Sequence, residues 1–395
     1  MTTHTSSPAA DVQHNASPYL YGQEAAAVAR VLQTGQYGHT EVTEEFERRV
    51  ARFLDIRDAV AVMSGTAALH TALLAVGVGP GHEVVVPSMT FCATIQAILA
   101  TGATPRFVDI DPDTLCVTDQ LVMDAVTDRS RVVLPVLFGG RPVDLSRVRK
   151  ELATRDIVIV EDAAHAFGSS HGPRLVGATG DLTCFSFGPI KNLTCGQGGV
   201  VIPRTRDEAD TIRRIRMLGV VQSQVQRGRT TSYQVEGYGL RYQMSGINAA
   251  IGLAQLPHFE DTARTRRHLW RAYRRALAAL NGVRLVDVAP ERSVPHLCQV
   301  LIPNRDEVHA RMKASGIGVG VHYPPNHLQR AFARWRRDLP ATEQAGAEIL
   351  TLPLHQHLTE ADIDQVVTVL DQVVTVLGQA LTETGTTPRA RPNQR

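Results

Sequence analysis

The chain has little cysteine, few aromatic residues, very little lysine and almost no net charge. Its five cysteines, at 92, 116, 184, 195 and 298, form no CxxC pair and no dense, even framework, so a reduced, cytoplasmic setting is expected rather than a disulfide-stapled fold. Lys plus Arg is 41 against 39 for Asp plus Glu, which leaves no strong field to draw nucleic acid or an anionic membrane. No apolar run approaches the roughly 18 residues a membrane-spanning helix needs. The opening stretch MTTHTSSPAADVQHN lacks the apolar segment of a signal peptide. No GxGxxG follows the early strand patterns, which sets aside a Rossmann dehydrogenase.

What is present is ample material for a core: 395 residues, 43% of them hydrophobic, enough for two or three domains. Helical periodicity is read over 22–34, 43–54, 64–76, 90–100, 118–127 and 145–153. Short continuous apolar runs at 59–63, 83–86, 105–108, 132–137, 157–160 and 183–187 lie among them, as strands buried on both faces should. The alternation predicts an α/β fold: a large domain over 17–257 with a mainly parallel sheet between helices. Beyond Pro257 the pattern changes, and a smaller α/β domain is expected over 258–384. Its elements are apolar segments at 297–302 and 318–322 and helices at 305–315, 341–350 and 359–377. Residues 1–16 and 385–395 read as loose tails. The arginine run RTRRHLWRAYRR, from Arg264 to Arg275, is expected to be the solvated face of a helix, since Leu269, Trp270 and Tyr273 alternate with it at helical spacing.

Four places could carry chemistry. Ser64-Gly65-Thr66 sits where a strand gives way to a helix. Free N–H groups there, the helix dipole, a close backbone approach at Gly65 and the Thr66 hydroxyl suit an anion; an ordinary N-cap would look the same. Glu161-Asp162 ends a strongly apolar strand, where α/β sheets place ligands, and a buried carboxylate needs a cation such as a protonated pyridine nitrogen; the other explanation is a cap for the following segment. His165, three residues on, is a candidate for the ring of such a ligand or an ordinary buried imidazole. Lys191 stands between Pro189 and a glycine-rich turn, and Lys150 and Lys313 are the only other lysines. Beside apolar strands its amine is placed to lose its proton and form an imine, where a solvated surface lysine would not. Ser186 could donate to a phosphate, and Phe91 could stack on a ring or belong to the core. The order decides: an anion turn, an aromatic 25 residues after Thr66, a strand-end acid, then a serine and a lysine 29 residues past the acid.

The stretches SGTAALHTALLAVGVGPGHEVVVPSMTFCAT, PRFVDIDPDTL, VIVEDAAHAFGS, GDLTCFSFGPIKNLTCGQGGV, INAAIGLAQL and GIGVGVHYPPNHL carry the resemblance. From about Tyr19 to Leu377 the chain resembles the DegT/DnrJ sugar aminotransferases, pyridoxal-phosphate (PLP) enzymes of the aspartate aminotransferase superfamily. The resemblance implies that Lys191 holds PLP as a Schiff base and that Asp162 pairs with the pyridine nitrogen. Phe91 would stack on the ring, His165 would lie near its phenolic side, and Gly65, Thr66 and Ser186 would hold the phosphate. Two positions depart from the family pattern. Arg241 stands where an Asn often reaches the phosphate from a neighbouring subunit, a contact an arginine could also make. Gln197 stands where an acid is common. Dehydratase relatives carry His in place of the lysine, so Lys191 favours amine transfer.

The resemblance further implies at least a homodimer, an amino-acid donor (glutamate or glutamine) and a nucleotide-linked keto-deoxysugar or related cyclic ketone as acceptor. Tyr37, His322 and Tyr323 become candidate substrate contacts. The pair His322 and His327 is not read as a metal site, because no Cys, Asp or Glu lies close by in sequence and Pro324-Pro325 extends the loop. Two other readings stay open: a PLP enzyme of the same fold with another substrate or reaction, and a non-catalytic regulatory relative. Amine transfer from glutamate to keto-sugars separates the first, and the intact Lys191/Asp162 pair argues against the second.

Overall fold

The computed structural model describes residues 12–222, 229 and 231–383. Two helices, α1 (Glu24–Thr34) and α2 (Glu41–Leu54), precede the first strand. In α2 the buried Phe46, Val50 and Leu54 recur every four residues, so one stripe of the helix faces the core and the charged remainder faces water. The sheet then builds by alternation: β1 (Val60–Val62), α3 (Gly65–Ala75), β2 (Glu83–Pro87), α4 (Cys92–Ala100), β3 (Thr104–Val108), α5 (Asp119–Ala125), β4 (Ser130–Val133), α6 (Arg149–Thr154) and β5 (Val158–Asp162). A two-residue hairpin, β6 (Ser170–His171) with β7 (Arg174–Leu175), leads to β8 (Leu182–Ser186) and β9 (Gly199–Ile202).

These strands form a seven-stranded sheet in the order β1-β9-β8-β5-β4-β2-β3. β3, β2, β4, β5 and β8 pair in parallel, β9 runs against them, and β1, antiparallel to β9, resumes their direction. The expected mainly parallel α/β sheet is therefore what forms. Its strands are apolar on both faces because helices cover both, as with the buried run Val84, Val85 and Val86. The run read as a strand over 132–137 is cut at Val133. Pro135 has no N–H to donate, and beyond Val133 the pairing continues as a bond from the Leu134 N–H to the Val85 carbonyl and an isolated bridge from Val136 to Asp162.

Next come α7 (Arg206–Ile215), α8 (Gly246–Gln255) and the long α9 (Phe259–Leu277). A second, antiparallel sheet joins β10 (Arg284–Leu285), β11 (Cys298–Leu301) and β12 (Ile349–Leu352) in that order, with α10 (Arg305–Ala314), α11 (Pro340–Glu348) and α12 (Glu360–Glu383) around it. A separate apolar core, including Trp270, Tyr273, Val300, Leu352, Ile363 and Leu370, fills the space behind this sheet.

Three expectations change. The helix read over 341–350 stops at Glu348, and Ile349 and Leu350 open β12 opposite Leu301 and Val300. A short apolar run looks alike in a buried helix and a buried strand. The loose leader read over 1–16 does not hold for its last residues: Val12 is buried and its carbonyl accepts from Gly318, and the Asn15 carbonyl accepts from Leu354. The remainder, 1–11, and the tail from 385 lie outside the described residues. The arginine run is not wholly solvated, since Arg266 is buried and donates to the carbonyls of Pro295, His296 and Leu354 and to Gln356. Among the described residues no helix is long and apolar enough to cross a membrane.

Candidate active site

Because β1, β2, β5 and β8 run the same way, their carboxyl ends lie along one edge of the sheet. That edge carries the starts of α3 and α4, Asp162 at the end of β5 and Ser186 at the end of β8. A cavity of about 890 Å³ opens there. Gly65, Thr66, Phe91, Asp162, His165, Ser186, Lys191, His322 and Tyr323 all line it, as does Gln197. Nine of the candidate residues read from the sequence thus meet in one place.

Each is placed by local chemistry. Ser64 caps α3, its hydroxyl accepting from the Ala67 N–H at 3.1 Å, and Gly65 and Thr66, the first residues of the helix, line the cavity. Gly65 passes so close to β8 that a Cβ there would lie 2.7 Å from Ser186 Cβ, so only glycine fits this turn. Phe91, 54% exposed, precedes α4, and its ring centroid lies 5.5 Å from that of Tyr323. One turn into α4, Thr94 donates to Asp162 Oδ2 at 2.7 Å, and the Ala164 N–H reaches Oδ1 at 3.2 Å. Asp162 is buried and has no ion pair among the described residues. Desolvation raises its carboxyl above the usual range, partly opposed by Thr94, the Ala164 N–H and the nearby Lys191.

Lys191 follows Ile190 in the turn after β8. Desolvation pushes its amine down to about 8, and the charge of Asp162 acts the other way. An amine so shifted stays mostly protonated near physiological pH but gives up its proton far more readily than an ordinary lysine, and its neutral form can act as nucleophile and base. The imidazoles around it are held neutral. Burial, followed by the charge of Lys191, holds His165 well below its ordinary value and brings His322 to about 4. His165 Nε2 lies 3.2 Å from the Tyr323 hydroxyl, and His322 Nδ1 lies 2.9 Å from Thr351 Oγ1. His327 turns away to Ser88 (2.7 Å) and Glu343 (3.2 Å).

Two candidates are not brought to this cavity within the chain. Tyr37 is exposed just beyond α1 and its hydroxyl donates to the Leu32 carbonyl at 3.3 Å. Arg241 is exposed and bridges to Met217. Sequence reasoning missed three residues. Thr94 was findable, since it stands three residues after Phe91 at a helix start and so faces the same way. Asn192 and His296 carried no local signal.

A model of the DegT/DnrJ/EryC1/StrS aminotransferases matches residues 18–371. The chain belongs to the DegT/DnrJ/EryC1/StrS aminotransferase family. Solved structures agree with this. DesV from S. venezuelae, in complex with a ketimine intermediate, is 36% identical over 89% of this chain and 94% of its own, with a TM-score of 0.82. The aminotransferase TlmJ from Streptoalloteichus hindustanus is 31% identical over 92% and 99%, with a TM-score of 0.86. The sugar aminotransferase CalS13 from Micromonospora echinospora is 29% identical over 91% and 99%, with a TM-score of 0.85. The protein is a PLP-dependent aminotransferase, as members of this family are.

The residues present suit that cofactor. Asp162 is a buried carboxylate with no ion pair among the described residues, and a protonated pyridine nitrogen would supply the cation. The N-terminus of α3 with Gly65, Thr66 and Ser186 is a cradle of donors closed by a glycine, suited to a phosphate. Lys191 supplies an amine whose proton is already weakly held.

Proposed function

We propose that the enzyme moves an amino group from an amino acid, glutamate or glutamine, to a nucleotide-linked keto-deoxysugar. The observation that carries this reading is the convergence of Lys191 and Asp162 on one cavity with the cradle at the start of α3. Family membership and the likeness to a sugar aminotransferase support a sugar as acceptor.

PLP, when bound, supplies an electron-withdrawing ring that weakens the Cα–H bond of an attached amino acid and stores the amino group between the two half-reactions. The protein's own part follows from its residues. Lys191 Nζ would hold the cofactor and, as a free amine, would take the proton from the donor's Cα. In the second half it would return a proton to the former carbonyl carbon of the acceptor. Asp162 would face the ring nitrogen as a carboxylate and favour its protonated form. Gly65, Thr66 and Ser186 would anchor the phosphate, Phe91 would cover the ring, and His165 would lie near the phenolic side. His322 and Tyr323 border the space left for substrate. Arg241 and Tyr37, turned away from the cavity of their own chain, are assigned to that of a second copy in a homodimer.

The test is amine transfer. Enzyme, L-glutamate or L-glutamine and a panel of nucleotide-linked keto-sugars are incubated and the products are read by mass spectrometry. An amino sugar formed in equal amount with the donor's 2-oxo acid is expected. Bleaching of the yellow protein by a donor, with no transfer to any keto-sugar, would overturn the acceptor and leave the cofactor assignment standing.

A further inference from the structure

A row of polar groups behind the cofactor cavity is not used by the reaction above. Asn192 follows Lys191 directly and is buried. Its Nδ2 donates to the Val294 carbonyl at 3.0 Å, so its Oδ1 is left as an acceptor, 3.2 Å from His296 Nδ1. Only a protonated Nδ1 can satisfy that contact, because two acceptors would otherwise face each other. His296 is buried, and burial, then the charge of Lys191, holds it well below its ordinary value. A neutral imidazole with its proton on Nδ1 carries a bare lone pair on Nε2.

The His296 ring lies against His165, with centroids 4.4 Å apart. Its backbone is fixed as well, since Arg266 donates to the carbonyls of Pro295 and His296, both at 2.7 Å. His165 has one nitrogen committed: Nε2 meets the Tyr323 hydroxyl at 3.2 Å. Its other nitrogen, Nδ1, is buried and makes no hydrogen bond among the described residues, so its coupling to His296 is ring contact and electrostatics. A buried N–H gains from a neighbouring lone pair, whereas a buried lone pair beside another gains nothing.

We propose that His296 is a positioning residue of the transamination site: fixed by Asn192 and Arg266, it sets the place and the tautomer of His165, and through His165 the direction of the Tyr323 hydroxyl. His165 then carries its proton on Nδ1, and its Nε2 accepts from Tyr323. The Tyr323 oxygen keeps its lone pairs for the cavity, where it meets a substrate hydroxyl or amine as an acceptor. This rests on the proposed role of Tyr323 in the substrate space; the order of protons from Asn192 to Tyr323 does not.

The experiment reads those protons first. In the holoenzyme labelled with ¹⁵N-histidine, His296 and His165 are expected to be neutral Nδ1–H tautomers from pH 6 to 9. A Nε2–H tautomer at His165, or a doubly protonated ring at either position, overturns the proposal without any variant being made. His296→Phe keeps the ring and removes both nitrogens. It is expected to retain PLP on Lys191, to release His165 into a mixture of tautomers, and to lower kcat by roughly threefold to tenfold, the scale of one buried polar contact. KM for the donor is expected to stay within about twofold. His296→Gln, which restores a carbonyl acceptor, is expected to recover part of kcat. A His296→Phe enzyme with the wild-type nitrogen pattern and wild-type kcat also overturns the proposal. Absence of PLP from Lys191 in the wild type would instead strike the cofactor reading, and the tautomers would still be readable.

Discussion

Two concave regions of the molecule hold buried charge, and they treat it in opposite ways. The larger, about 1140 Å³, lies beside α2 and the segment after α7 and is lined by Glu47, Asp58, Arg213 and Arg216 among others. Its buried charges are matched. Arg216 pairs with Glu47 and donates to the Ala61 carbonyl at 2.7 Å, and Glu47 accepts from the Ala61 N–H at 2.8 Å. Arg213 bridges Asp58 at 2.8 Å and Asp210 at 3.0 Å. The smaller cavity holds Asp162 and Lys191, neither of which has an ion pair among the described residues. The smaller cavity thus keeps a buried carboxylate without a matching cation among the described residues, beside an amine whose proton burial has loosened. Size would single out the larger region; incomplete electrostatics singles out the smaller, where the proposed function is placed.

Replacement in each region should break different things. Asp162→Asn removes the charge and keeps the shape. Amine transfer is expected to fall by roughly 10²–10³-fold, read in single turnover, with PLP still attached to Lys191. A loss under threefold would mean that the carboxylate is not the ring's partner. Arg216→Met leaves Glu47 buried without its cation and should cost about 3–5 kcal/mol of stability in denaturant unfolding. The folded fraction should keep its kcat, and a second change, Glu47→Leu, should recover most of the stability. If Arg216→Met instead lowered kcat at full stability, the larger groove would be functional and the contrast would fail.

The smallest effect sharpens the comparison from the other side. In the fold the Lys191 amine is pushed from 10.5 to about 8, so between these values the unfolded chain binds more protons and stability rises with pH. Below about pH 8 the apoenzyme carries the whole cost of that buried amine. Lys191→Met should therefore stabilise the apoenzyme by about 1–2 kcal/mol at pH 7, with the gain fading towards pH 10.5. A gain that grows with pH, or a variant less stable throughout, would contradict the shift.

Much of the sheet was legible because its strands are buried on both faces and separated by helices, which leaves short apolar runs in a regular alternation. What failed locally failed for identifiable reasons. β12 is four residues, three of them apolar, directly after a helix, too short for a period to show. Arg266 hides in a run of surface arginines because one position in the helix turns inward to carbonyls supplied by distant loops. Of the residues lining the smaller cavity, Asp162 stood out in the sequence by its place at a strand end and Lys191 by its place between Pro189 and a glycine-rich turn. Thr94 could have been read from helix spacing. His296 could not, because its contact with His165 joins residues 131 positions apart and depends on how the β11 region folds back. Tyr37 and Arg241 show the other limit, since one chain does not bring them to its own cavity.

The central claim is that Lys191, of three lysines in the chain, carries the cofactor. Borohydride reduction of the PLP-loaded enzyme followed by peptide mass mapping reads this directly, beside a Lys191→Ala variant. A phosphopyridoxyl mass on the peptide containing Lys191, lost in the variant together with the yellow colour, is the predicted result. The label on Lys150 or Lys313, or on no lysine at all, would contradict the account.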